Sequence, residues 1–229
     1  MKRIISIITL LAIVVCTLAS CGGSVDAVVD CYNKSYPQKI VVESQQIFGN
    51  SGLSSVTTMV RGTTGSDFTA LMTLEETELR SLDEGSGTVI YESKKVTDIQ
   101  KHYREGYGVR EKDLNVSNKW GAWDEEGVNF FPAKGELGLT LDTSAMSAVA
   151  FADNVLTFTV KAGEVTKIFG AGSDIKSDVD VTITTDGAVV LSVLVEYVVP
   201  EDLDNGLEET SVKVVATYSY AKERLDIEG

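Results

Sequence analysis

The sequence predicts a mainly β protein of the α+β kind, with one large curved antiparallel sheet, half-barrel-like, an N-terminal helix and one further short helix. Three observations carry this. From Lys39 onward the chain is written in valine, isoleucine, threonine and aromatic residues, which suit a pleated, half-buried surface. Glycine-bearing turns interrupt that vocabulary about every ten residues, the spacing of an antiparallel meander. Roughly ten strand candidates against two short helical stripes then form a sheet that twist must curl into a half-barrel or a sandwich.

Taken in order, Val25, Val28, Val29, Tyr32 and Tyr36 form one stripe of an amphipathic helix over residues 25–35. Ser24 stands where a helix cap belongs, Asp26 suits the first turn, and Pro37 disfavours helical geometry at Tyr36. Strands are expected at Lys39–Phe48, 54–62 and 68–74, the first two linked by Gly49-Asn50-Ser51-Gly52, then at 88–92 and within 96–110. In that last segment Ile99, Tyr103, Tyr107 and Val109 share strand parity, although Val96, Ile99 and Tyr103 also suit a helix. Leu137, Leu139 and Leu141 alternate like a strand, and strands at 148–152 and 156–161 flank an Asp153-Asn154 turn. Val165, Ile168 and Phe169 make a short helical stripe ending at Gly170. A hairpin follows, with Val179, Val181 and Ile183 alternating, a type I′ turn expected at Asp186-Gly187, and a return over 188–199. That return is apolar at successive positions and reads as covered on both faces, the N-terminal helix covering one. After an acidic loop at 200–209, a long strand carries Val212, Val214, Ala216, Tyr218 and Tyr220 on one face, and a short edge strand is expected at 225–227.

The start of the chain has a different logic. Lys2 and Arg3 precede the apolar run from Ile4 to Val15, which leads into Leu18-Ala19-Ser20-Cys21. The run is shorter than the ~20 residues a membrane-spanning helix requires. This order resembles the lipobox of bacterial lipoprotein precursors. The resemblance implies that residues 1–20 are a signal peptide cut between Ser20 and Cys21, that the Cys21 sulfur carries a diacylglyceryl group, and that the new amino terminus is acylated, commonly with palmitate. The mature chain would then be moored by lipid on the outer face of the cell membrane, in the cell envelope, with residues 21–24 as a short tether and 25–229 as a single β-rich domain. Two acyl chains hold a membrane far more firmly than one, at about 0.8 kcal/mol per buried methylene, so the body needs no membrane-binding face.

Composition limits partners. The leader removes two cations, taking the net charge from −14 to −16. Such a surface repels phosphate backbones and anionic lipid head groups, so no nucleic acid partner is expected. Of three cysteines, Cys16 leaves with the leader and Cys21 is lipidated, so Cys31 stands alone and the mature chain has no internal disulfide. With no histidine near it in sequence, Cys31 reads as a small half-buried hydrophobe, not a catalytic thiol.

The helix-then-meander order, ending in the hairpin around Asp186-Gly187 and the strand over 212–220, is similar to the lipoprotein-carrier-like family of LolA and LppX type. That resemblance covers 25–220 in order and pattern. It implies an incomplete β-barrel capped by helices over an apolar cavity, with fewer helices here than the family usually carries and no functional residue to transfer.

Few constellations suggest chemistry. His102 is the only histidine, which excludes zinc sites built on histidine pairs and leaves it as the sole base for a triad; the reading here is a strand-surface histidine. Trp120, Trp123, Phe130 and Phe131 fall close together beside Asp124, Glu125 and Glu126. Aromatic platforms beside carboxylates characterise many sugar sites, and paired carboxylates perform glycoside hydrolysis, while the same aromatics also suit plain core packing. These four aromatics are the candidate ligand contacts. Glu201, Asp202, Asp204, Asn205, Glu208 and Glu209 crowd one loop, but Gly206 occupies the third ligand position of an EF-hand pattern, so no metal is expected there beyond a loose calcium site. The expected function is a non-catalytic, lipid-anchored envelope protein whose β domain binds a small ligand or partner without a cofactor. The alternatives are a carrier or sensor of lipids or other apolar molecules, and a cell-surface hydrolase.

Overall fold

The structure, a computed structural model, describes residues 24–81, 91–202, 208–222 and Leu225. The expectations for the leader, for Ser20 and Cys21, for most of the strands at 88–92 and 225–227, and for Asp204 and Asn205 lie outside these residues.

Helix α1 (Val25–Lys34) opens as its sequence requires: Ser24 is extended and its hydroxyl accepts from the Ala27 amide at 3.2 Å. Val28, Cys31 and Tyr32 are its buried face. Ten strands follow: β1 (Lys39–Phe48), β2 (Ser51–Thr64), β3 (Asp67–Ser81), β4 (Tyr91–Arg104), β5 (Gly108–Asp113), β6 (Met146–Ala152), β7 (Val155–Val160), β8 (Val179–Thr185), β9 (Val190–Val199) and β10 (Thr210–Ser219). Helix α2 (Val165–Phe169) lies between β7 and β8 and ends at Gly170, whose φ is +86°.

All ten strands belong to one open antiparallel sheet in the order β5-β4-β3-β2-β1-β10-β9-β8-β7-β6. It consists of two five-stranded meanders joined where β1 pairs with β10, from Lys39 opposite Ser219 to Phe48 opposite Thr210. Strands β5 and β6 are consecutive in sequence yet form opposite edges, so residues 114–145 must cross the sheet. They cross the inner face, where Phe131, Leu137 and Ala145 are buried in one core with Leu156, Phe158, Val181, Ile183, Val193 and the α1 residues. Polar pins hold the cover down. The Tyr32 hydroxyl donates to the Leu139 carbonyl at 2.7 Å and accepts from the Leu139 amide at 2.8 Å. The Ser35 hydroxyl, fully buried, donates to the Cys31 carbonyl and accepts from the Val190 amide at 2.9 Å, tying the end of α1 to β9.

Three local expectations are corrected. Residues 137–141 are not a strand: they alternate because an extended chain lies over the core, and the backbone polar groups there bond to Tyr32, to Tyr218 and, from the Thr140 amide, to the Ile168 carbonyl. The hairpin with two positive φ values is at Asp153-Asn154, +51° and +65°. At Asp186-Gly187 only Gly187 is positive; the Asp186 carboxylate accepts from the Ala188 and Val189 amides and caps a four-residue loop, accompanied by a register shift at Thr184/Thr185. Strand β9 is covered on one face only, since Val193 and Val195 are buried while, on the other face, Glu196 is exposed and Val198 is 39% exposed. Segment 96–110 is strand, as expected, but broken by a turn at 105–107.

Candidate ligand-binding site

The site begins at the β5 edge. Gly108 adopts φ +84°, and a side chain there would collide with the Asp124 carbonyl. That opening lets residues 120–127 return along β5: the Val109 amide donates to the Asp124 carbonyl at 2.9 Å, the Asp124 amide to the Val109 carbonyl at 2.7 Å, and the Gly121 amide to the Glu111 carbonyl at 2.9 Å. Gly127 completes the fit, because a Cβ there would stand 2.7 Å from the Val109 Cβ. The returning chain partly satisfies an edge that would otherwise present unpaired amides. It also places Trp120 and Trp123 over the outer face of the sheet.

Beneath them is His102. Leu71, His102 and Arg110 stand opposite one another across β3, β4 and β5 and so share that outer face. The expectation of a surface histidine is corrected: His102 is 4% exposed, with ring centroids 5.1 Å from Trp123 and 5.9 Å from Trp120. It does stand on the outer face of the sheet; the tryptophans that cover it come from a segment 18 and 21 positions later. Its protonation follows from its partners. The Thr69 hydroxyl donates its one proton to the Tyr103 carbonyl at 2.8 Å, so at 2.8 Å from His102 Nε2 it accepts. Nδ1 then accepts from the Arg110 Nε–H at 3.2 Å. This network assigns a neutral imidazole protonated on Nε2. Burial first, then the positive charges of Arg110 and Arg104, push its pKa down to about 4.

Around this centre the cations separate into two kinds. Arg104 lies 4.3 Å over the Tyr107 ring and is neutralised by Asp67, to which Nε and Nη2 donate at 3.1 and 2.8 Å. Arg110 stands 4.8 Å from both tryptophan rings, and among the described residues its hydrogen bond to His102 is the one it makes and it has no ion pair. Burial pushes the Arg110 guanidinium below its ordinary value. Lys112 lies 4.8 Å over Trp120 and donates to the Asn118 side-chain oxygen at 3.3 Å. Tyr107, 5.7 Å from Trp123, is 45% exposed.

The four candidate aromatics therefore do not form one patch. Trp120 and Trp123 build the outer platform; Phe131 is buried in the core on the opposite face of the sheet and Phe130 packs against that core. They separate because the chain rounds the β5 edge between the two pairs. Asp124, Glu125 and Glu126 are exposed on the turn between them, and the Asp124 carboxylate accepts from the Glu126 amide at 3.1 Å. Arg110, Lys112 and Tyr107 were missed. The available signal was two cations at strand spacing shortly before a tryptophan pair.

Three surface clefts are separate from this platform, of about 580 Å³ beside β8 to β10, 610 Å³ between α1 and residues 135–141, and 770 Å³ at the β1–β2 turn. Comparison with models of known protein families gives no match, and comparison with curated proteins gives none.

Proposed function

We propose that the chain is a non-catalytic lipoprotein of the bacterial cell envelope, moored outside the membrane through lipid on Cys21, whose β domain binds a ligand through the Trp120 and Trp123 platform. The observation that carries this reading is the placement of the only two tryptophans of the sequence, with exposed Tyr107, on the outer sheet face, away from the core that the fold requires. Large aromatic side chains held rigidly at a surface supply contact area at small entropic cost. The lipobox resemblance supports the mooring, and among the described residues no helix is long and apolar enough to cross a membrane.

Both halves are testable. Labelled fatty acid should enter the wild-type chain and not Cys21→Ala, which should also leave the membrane fraction. Because both tryptophans are in the platform, intrinsic emission reports on it alone. Titration with oligosaccharides, small anions and peptides should give a saturable change for one class that weakens in Tyr107→Ala; silence across all of them refutes the binding reading.

The second reading, a carrier of apolar molecules, is favoured by the 610 Å³ cleft beside α1, whose lining includes Val29, Tyr32, Leu139, Leu141, Ile168 and Phe169. Native mass spectrometry of the purified chain should then show a copurifying lipophile, displaced by Leu141→Trp.

A further inference from the structure

We infer that the platform recognises an acidic saccharide, with Arg110 and Lys112 holding its carboxylate while the sugar ring rests against Tyr107 and the tryptophan edges. This deepens the binding reading above and rests on it.

The first argument is electrostatic. Acidic side chains outnumber basic ones by 34 to 20, and on β4, the strand beside Arg110 and Lys112, Lys95, Lys101 and Arg104 stand in ion pairs. Arg110 and Lys112 have none among the described residues, although Glu125 and Glu126 are close in sequence and Glu111 lies between them. Glu111 points to the other face, where it pairs with Lys101. A half-buried guanidinium without a counter-charge is costly, and an anionic ligand supplies the missing charge.

The second argument is geometric. His102 Nδ1 engages Arg110 Nε, and two indole rings flank the guanidinium, so the group is held in place before any ligand arrives. Nη1 and Nη2 remain, the planar pair that meets a carboxylate with two parallel hydrogen bonds. His102, kept neutral, accepts from Arg110 without cancelling its charge. Lys112 stands on the same face two residues on and provides a second, mobile donor.

The third argument concerns the remainder of the ligand. The C–H face of a pyranose is apolar and faintly positive, and it suits the negative face of an exposed aromatic ring such as Tyr107. One carboxylate on a largely neutral sugar can approach a chain of this charge, whereas a polyanion such as single-stranded nucleic acid is repelled at every other point.

The test follows tryptophan emission of the full chain while an oligosaccharide with a single uronic acid residue, its methyl ester, the matching neutral oligosaccharide, a sugar phosphate and an oligothymidylate are titrated at fixed salt. The uronate should bind saturably and at least about 10-fold more tightly than the ester and the neutral sugar, with Arg110→Gln weakening it by about 10- to 100-fold. Arg110 also packs the tryptophans, so Lys112→Gln serves as the second variant; it should weaken the uronate alone, by about 3- to 10-fold, with the urea midpoint unchanged. Equal binding of acidic and neutral sugars, or preference for the phosphate or the oligonucleotide, overturns the inference and leaves the platform reading standing. No change with any of the five removes the platform reading itself.

Discussion

Acidification should unfold this protein partly through one ring. His102 has a pKa of about 4 in the folded chain against an ordinary 6.5, first because it is buried beneath two indoles and then because the charges of Arg110 and Arg104 oppose a second positive group there. The folded value is the lower one, so the unfolded chain takes up the proton first as pH falls. The associated stability is therefore complete above about pH 6.5 and lost progressively down to about pH 4. The difference of roughly 2.5 units at 1.36 kcal/mol each amounts to about 3 kcal/mol, a substantial part of the ~5–15 kcal/mol that a domain possesses. Urea unfolding between pH 7.5 and 4, compared with His102→Gln, measures it. Glutamine keeps a donor and an acceptor without titrating, and since His102 is the only histidine the difference between the two curves isolates its contribution. Carboxylates such as Asp67, held down by Arg104, and Asp186, held down by backbone amides, titrate equally in both proteins and cancel. Wild-type stability should fall about 3 kcal/mol further than that of the variant. Parallel curves would refute the account of a desolvated, neutral His102.

Gly108→Ala should release the return segment, since its Cβ meets the Asp124 carbonyl at a positive φ; tryptophan emission should shift to the red, with a loss of more than ~2 kcal/mol in urea. Tyr32→Phe leaves the Leu139 amide and carbonyl unpaired beneath the crossing segment and should lose about 2–3 kcal/mol, with hydrogen exchange at the Leu139 amide rising before that in β8 or β9. Ser35→Ala orphans the buried Val190 amide and should cost ~1–3 kcal/mol, read as a lower thermal midpoint.

Much of the fold was legible because its signals are local. The β-branched vocabulary of 39–48, closed by its glycine turn, and the alternation in 179–185 mark strands β1 and β8 to the residue or nearly so, and Ser24, Val28, Tyr32 and Pro37 bound α1 within one residue. The Asp186-Gly187 dipeptide misled because aspartate offered its carboxylate to two following amides instead of taking a positive φ. The leucines of 137–141 misled because alternation reports an extended chain over a core, whatever bonds its backbone makes.

For the candidate site, the sequence placed Trp120 and Trp123 among the contacts but gave no reason to part them from Phe130 and Phe131. That separation depends on the chain turning round the β5 edge, an event governed by the meeting of Gly108 with Asp124 and of Gly127 with Val109, pairs too far apart along the chain for any periodicity to register. Sequence alone determined a large antiparallel sheet, its helical cover and its acidity, and carries the lipobox resemblance, because each arises from side-chain identity and short-range spacing. Tertiary structure alone decided that β1 joins β10, that β5 and β6 become opposite edges, and that a lone histidine is closed in beneath two indoles beside an arginine that has no ion pair among the described residues. Those outcomes come from pairing between distant segments, where the balance of burial and hydrogen bonding is set only once the whole sheet has formed.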